Sequence, residues 1–271
     1  MIDLHCHLLP GIDDGARDWN ESLDMCEIAI NDGIHTIVAT PHVKPGVFAP
    51  TKDLVFSRIR ELSDRLGKKH EPINTRSTSS RRSSPTSRPL TILPGADIYL
   101  QPDILTQIDR GEALRLGELT ADSQNAATRT SVEYVLLELP DYFLLPRIKE
   151  VIEKLVERGV IPILTHPERN VMMKNRPRLL AELIQKGALS QVTAMSVTGG
   201  FGREVQQIAE KMITGDLVHV IASDAHSPSR RPPIISPAVE KITALIGTEG
   251  AERMVREVPQ AIIEGRTVER L

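Results

Sequence analysis

Aromatic side chains are scarce: one Trp, three Tyr and four Phe make up 3% of the 271 residues. The core must therefore be packed with Ile, Leu, Val and Ala, and a hydrophobic content of 40% supplies enough of them. Cysteine is scarcer still. Cys6 and Cys26 form no metal-spaced pair and cannot make a disulfide framework, which suits a reducing compartment. A cysteine-dependent phosphatase is set aside as well, because its thiolate requires C-x5-R and the sixth residue on is Ile12 after Cys6 and Asp32 after Cys26. No apolar run approaches the roughly 20 residues of a membrane span. The first residues lack a charged segment followed by a long apolar core. The formal net charge of −3 is small, with acids and bases interspersed, and gives no case for nucleic acid or an anionic membrane as partner. The expectation is a soluble, cytoplasmic protein.

What the chain does have is rhythm. IDLHCH (2–7) reads as a strand. Asp18 followed by Glu21 resembles a capping box, and Trp19 to Asp32 then carries Leu23, Ile28 and Ala29 at helical spacing before Gly33. IHTIVAT (34–40) is a strand rich in β-branched residues, with a helix from about Lys52 to Leu66. The unit recurs with TILPGADIYL (91–100) before PDILTQID, and with YVLLELP (134–140) before a helix from Pro146 to Gly159. VIPILTH (160–166) precedes RPRLLAELIQKG, SQVTAM (190–195) precedes a helix to about Thr214, and LVHVIASD (217–224) precedes two C-terminal helices. Seven strand–helix units with no hairpin series predict an α/β fold with a parallel sheet in a single domain over 1–271, and favour a barrel over a doubly wound sheet. Two stretches interrupt the pattern. KKHEPINTRSTSSRRSSPTSRPL (68–90) is dense in Ser, Arg, Thr and Pro, and ADSQNAATRTS (121–131) is a shorter version; both read as solvated, disordered insertions.

The chemistry-bearing residues fall at strand ends. His5 and His7 close the first strand, His42 follows the second, His166 closes the fifth and His226 follows the seventh. Asp97, Glu138 and Asp224 occupy matching places, and Asp14 follows the first strand. A parallel barrel delivers the last side chain of every strand to one rim, so these residues converge. H-x-H and D-x-H put both side chains of each pair on one strand face, with Cys6 pointing the other way. His35 and His219 have the opposite parity and read as packing or surface residues. The set offers nitrogen and oxygen donors in excess of what one ion can use, so it predicts two or three metals of the Mn, Fe or Zn kind and no thiolate site.

In order and spacing, DLHCHLLPGIDDG, ATPHV, PGADIYLQPD, LLELP, THPERN and VIASDAHSPSRRPP resemble the motifs of the PHP (polymerase and histidinol phosphatase) superfamily. Within it, they are most similar to the metal-dependent bacterial protein-tyrosine phosphatases of capsule and exopolysaccharide systems, the CpsB/CapC type. The resemblance implies a distorted seven-stranded, TIM-barrel-like fold holding three metals, commonly manganese. It implies that His5, His7, Asp97 and Asp224 hold the first metal, that Asp97, Glu138 and His166 hold the second, and that Asp14, rather than Asp13, holds the third with His42 and His226. Arg169 and Arg231 match the family's phosphate-binding arginines, a role that suits bidentate guanidinium capture of phosphate oxygens. Asp97 departs from the family, which usually has glutamate there. A bridging carboxylate shortened by one methylene must draw its strand closer or give up one metal.

The implied reaction is phosphomonoester hydrolysis by a metal-activated water attacking phosphorus in line. The substrate that the resemblance implies is phosphotyrosine on a protein, the tyrosine-rich tail of an autophosphorylating bacterial kinase. His226 or a bridging water is the candidate proton donor to the leaving group. Rival readings are another phosphoesterase of the superfamily, such as histidinol-phosphate phosphatase, and a weakly active or non-catalytic member on account of Asp97.

Overall fold

Short parallel strands alternate with helices through the computed structural model, which describes residues 1–70, 90–116, 132–140 and 145–268. The insertion expected at 68–90 lies mostly outside the described residues, as does that at 121–131; Lys68 to His70 simply extend the preceding helix. In chain order the first half comprises β1 (Ile2–Cys6), α1 (Trp19–Asn31), β2 (Thr36–Ala39), β3 (His42–Val43), α2 (Lys52–His70), β4 (Thr91–Pro94), β5 (Asp97–Tyr99) and α3 (Ile104–Asp109). There follow β6 (Glu133–Glu138), α4 (Ile148–Glu157), β7 (Val160–Thr165), α5 (Val171–Asn175), α6 (Pro177–Gln185), β8 (Leu189–Thr193), α7 (Ala194–Val197) and α8 (Arg203–Thr214). The chain closes with β9 (Val220–Ala222), α9 (Ser236–Glu252), a π-helical turn (Arg253–Glu257) and α10 (Val258–Ile263).

Every strand pairing is parallel. The ladders form two sheets, β1-β2-β4 and β3-β5-β6-β7-β8-β9, so a closed seven-stranded barrel is not confirmed. The division falls inside two of the expected strands. The β2–β4 ladder ends at Ala39 and Pro94, and the β3–β5 ladder resumes at His42 and Asp97. Pro41 and Pro94 sit at this break, and a proline has no N–H to give a ladder. On the other side of the molecule β1 meets the segment after β9, where Asp224 N–H donates to the His5 carbonyl and His7 N–H to the Ala225 carbonyl, each at 2.8 Å. Both sheets thus deliver their C-terminal ends to one place.

Two apolar clusters support this rim. The larger packs helices against strands and includes Cys6 and Cys26. The smaller draws on both sheets through Ile2, Leu4, Val38, Leu136, Ile163 and Val220. Its columns run straight into the rim by strand alternation, Leu136 to Glu138, Ile163 to Thr165 and Ala222 to Asp224. In β1 the phase changes. Ile2 and Leu4 belong to the cluster, yet His5 and His7 face the rim, and the register against β2 shifts between Asp3 and Cys6. Such a bulge re-aims the side chains beyond it.

Local signals hold with small changes. Asp18 caps α1 by accepting from the Asn20 and Glu21 N–H groups, while Glu21 reaches back to Arg17 N–H, one residue before the cap. The helix expected to run on to Thr214 is two helices, α7 and α8, because Gly199 and Gly202 adopt positive φ between them.

Candidate metal centre

His5 and His7 lie side by side with their Nε2 atoms 3.0 Å apart. Their other ring nitrogens are already engaged, Nδ1 of His5 donating to Gln191 Oε1 at 2.9 Å and Nδ1 of His7 to Asp13 Oδ2 at 2.8 Å. Each Nε2 therefore carries a lone pair, and two lone pairs aimed at each other call for a shared cation. Burial holds His7 neutral by pushing its pKa well down, helped by His226 and His42 nearby. Around this pair, Asp97 Oδ2 lies 3.6 Å from His5 Nε2, and Asp224 Oδ1 lies 3.5 Å from His5 Nε2 and 3.6 Å from His7 Nε2.

Three donor groups emerge among the described residues: His5, His7 and Asp97; His42, Asp97 and Glu138; and His7, Asp14, His42 and His226. Asp97 belongs to two of them. Despite its short side chain it lies between His5 and His42, fully buried and with Oδ2 3.6 Å from His5 Nε2 and 3.3 Å from His42 Nδ1. His42 Nδ1, Asp97 Oδ2 and Glu138 Oε2 are all buried, converge within 3.7 Å of the imidazole nitrogen, and make no hydrogen bond. Orphaned polar atoms of this kind are costly unless something binds them, and an all-nitrogen-and-oxygen set fits a divalent cation of the Mn, Fe or Zn class.

Charge within the site follows from the same packing. Burial lowers the His42 pKa, but the Asp97, Glu138 and Asp14 carboxylates outweigh it and raise it to about 9. Burial and the neighbouring Asp97 lift Glu138 to about 7. Burial also opposes ionisation of Asp97 and Asp224, yet the His5 ring and the other imidazoles around them, with Arg169 and Arg231 beside Asp224, hold both below the usual carboxylate range. The protein thus confines two ionised carboxylates in a buried site.

The structure differs from the sequence expectation in its groupings. His42 is shared between the Asp14 and Glu138 sides instead of belonging only to the former, and His7 joins the Asp14 group. His166 and Asp224 fall outside the three groups, although His166 Nε2 lies 3.9 Å from Glu138 Oε1, its ring 6.0 Å from that of His5, and Asp224 Oδ1 3.5 Å from His5 Nε2. Burial and the Arg169 charge push His166 down to about 3. His166 and Asp224 both adopt positive φ, at 36° and 50°, a strained conformation for side-chain-bearing residues at the tips of their strands. Arg169 and Arg231 reach the site, but both donate to Asp224 Oδ2. His35 and His219 stay out, His35 pairing with Thr36 Oγ1 and His219 accepting from Ser190 N–H.

Sequence reading missed several supporting residues. Asp13 holds His7 and also accepts from His42 N–H at 3.0 Å, so it fixes two of the candidate donor residues at once. Its loop lies against His7 so closely that a Cβ on Gly15 would stand 2.1 Å from the His7 carbonyl oxygen. Gln191 and Thr193 come from β8, which was assigned no role although its alternation puts both on the rim face. Glu168 is buried and anchors the turn after β7 through Thr193 N–H and Ser196 Oγ. Phe48 stacks on His42, and Phe201 lies under Arg169 and Arg231.

The family model for capsular polysaccharide synthesis, CpsB/CapC, matches residues 1–264. The chain belongs to the CpsB/CapC family. A CpsB/CapC relative, the tyrosine-protein phosphatase YwqE of Bacillus subtilis, is 34% identical over 232 residues, 85% of this chain and 79% of its own. The tyrosine-protein phosphatase CpsB of Streptococcus pneumoniae is 26% identical over 271 residues, 97% of this chain and 98% of its own. A solved structure from the study of YwqE and CpsB, described as unique metal-dependent tyrosine phosphatases, superposes with a TM-score of 0.84 at 29% identity, covering 100% of this chain and 97% of that one.

Proposed function

We propose that this CpsB/CapC protein is a metal-dependent phosphatase that hydrolyses phosphotyrosine on a protein. The observation that carries the reading is the nested donor set, with orphaned atoms on His42, Asp97 and Glu138, lying beside two arginines. His5, His7, Asp97 and Asp224 would hold one cation, Asp97, Glu138 and His166 a second, and Asp14, His42 and His226 a third, with manganese preferred over iron or zinc. Bound there, such ions supply a water of lowered pKa and neutralise phosphate oxygens. The chain's own residues do the rest. Asp13 and Gln191 fix the tautomers of His7 and His5. Arg169 and Arg231 offer N–H groups to the equatorial oxygens, the geometry for which a planar guanidinium is suited. A phenolate leaving group has a pKa near ~10 and needs little protonation. His226 Nδ1 is held against the Asp224 carbonyl at 3.0 Å, so its free Nε2 faces Asp14, which supports the ligand role over that of proton donor.

Seven strand–helix units in one barrel-like domain remain our reading of the fold, with β2–β3 and β4–β5 counted as interrupted single strands. No helix among the described residues is long and apolar enough to cross a membrane, and both cysteines are free; we place the reaction in the cytoplasm. The preferred substrate is the tyrosine-rich tail of a bacterial kinase of polysaccharide synthesis.

The test is hydrolysis of a phosphotyrosine peptide by manganese-loaded protein, with metal analysis alongside. Turnover that disappears on chelation, and in His7→Ala and Asp224→Ala variants that remain folded, is expected. Faster turnover of an alkyl phosphate such as histidinol phosphate would overturn the substrate assignment. Stoichiometric metal without hydrolysis of any phosphomonoester would make the protein a non-catalytic member.

A further inference from the structure

The loop between α7 and α8, Thr198–Gly202, reads TGGFG. Gly199 and Gly202 have φ of 87° and 93°, and a Cβ on Gly200 would stand 2.5 Å from Met195 Cγ. Only glycine lets the loop fold this flat, and Phe201 is its one large side chain. The ring is half-buried and lies against two arginines that reach Asp224. Arg169 Cζ is 4.8 Å and Arg231 Cζ 5.5 Å from the ring centroid. These arginines come from the turn after β7 and the segment after β9, so one ring joins two distant parts of the chain.

Their other contacts are few. Both guanidinium groups donate to the same atom, Asp224 Oδ2, and the Nε of each is buried without a hydrogen-bond partner. Two cations sharing one carboxylate oxygen repel each other. Beyond the Asp224 carboxylate and the nearby charges of Asp14 and Glu168, an aromatic face attracts both at once, since its quadrupole favours cations without consuming their N–H donors. A carboxylate in that place would do the opposite, drawing off the donors a phosphate needs.

We propose that Phe201 is a positioning residue that holds the Arg169 and Arg231 guanidinium groups together as a clamp for a phosphate group, an inference that rests on the phosphatase reading above. Arg169 and Arg231 stay on the ring while their free N–H edges take phosphate oxygens. Loss of the ring lets the two charges part and the clamp open.

Binding of inorganic phosphate to the metal-loaded protein, followed by calorimetry, tests this without relying on turnover. Phe201→Leu is expected to weaken phosphate binding about tenfold, the worth of two partly desolvated cation–π contacts. Phe201→Tyr is expected to restore most of it, with metal content unchanged in both. With a phosphotyrosine peptide, the Leu variant should raise KM more than it lowers kcat. In an Arg169→Lys background the effect of Phe201→Leu should shrink, which separates clamp from general packing even if the Leu variant is less stable. Undiminished phosphate binding in Phe201→Leu, an undiminished effect in the Arg169→Lys background, or no phosphate binding by the wild type would each overturn the proposal. The expected phosphate pattern in a protein that hydrolyses no phosphotyrosine would uphold the clamp and remove the substrate assignment.

Discussion

Asp13 and Asp14 are neighbours with opposite duties. Asp14 is half-exposed and turns toward His42 and His226, at 3.6 and 3.5 Å. Asp13 is buried, and burial raises its pKa, yet it spends both oxygens inside the protein on His7, His42 N–H and Gly15 N–H. It makes no ligand of its own and sets the angle of two others. Replacing it by asparagine keeps the size but loses the ionised acceptor that fixes His7 with its proton on Nδ1. Asp13→Asn is therefore expected to weaken metal binding by about 10- to 100-fold, read by titration of the apoprotein with manganese. An unchanged affinity would mean that Asp13 serves the loop alone. The strand-end histidines and the paired aspartates were visible in the sequence because H-x-H and D-D-G are local patterns. The family resemblance pointed to Asp14 rather than Asp13 as the ligand, but what Asp13 does instead was not visible, because it depends on how the loop before Gly15 lies against His7.

Among the elements, the break between β4 and β5 matters most for function. It moves Asp97 from the end of one ladder into the start of another, where it meets Leu136 of β6 and His42 of β3. Gly95 sits in this break, and a Cβ there would stand 2.7 Å from Val38 Cγ1 and 2.9 Å from Leu116 Cδ2. Both neighbours are packed in the smaller apolar cluster and have little freedom to yield. Gly95→Ala is expected to cost about 1–3 kcal/mol of stability by overpacking and, by pushing β5, to lower metal occupancy; urea unfolding and metal analysis check the two effects. Alternation along the chain predicted every strand except the two-residue β3, and most helices, since hydrophobic periodicity is a local consequence of burying one face. It did not predict that two strands are interrupted, or that β1 shifts phase after Leu4. Those depend on where neighbouring backbones run out of partners.

At the scale of the whole molecule, the metal centre is a concentration of charge held by elements from both sheets. Asp97 and Asp224, both buried, hold their charge beside Arg169, Arg231 and the histidines. An ion that binds only the folded chain stabilises it by about 2.7 kcal/mol at a hundredfold excess over Kd. Manganese is thus expected to raise Tm by several degrees and a chelator to reverse this. The sign of the pH dependence follows from the ligands. Glu138, raised to about 7, must lose its proton, and so must His42, raised to about 9, before either can hold a cation. The metal-induced rise in Tm should therefore grow from pH 6 to pH 9. A rise that is largest at pH 6 would show that these two residues are not ligands.

From its periodicity and the spacing of its donors, this chain disclosed an α/β fold with parallel strands and a rim of nitrogen and oxygen donors, while the arginines near it were implied only by the family resemblance. The fold and the rim are carried by residue type and spacing, and spacing along a strand or helix is a property of the local chain. Which donors lie together, why Asp97 reaches both His5 and His42, and why Arg169 and Arg231 meet at Asp224 are matters of a few ångströms. They were decided by the approach of segments more than 50 residues apart, such as Arg169 with Asp224 and Thr165 with Asp97. No local pattern encodes that distance, because it is the outcome of packing the whole chain.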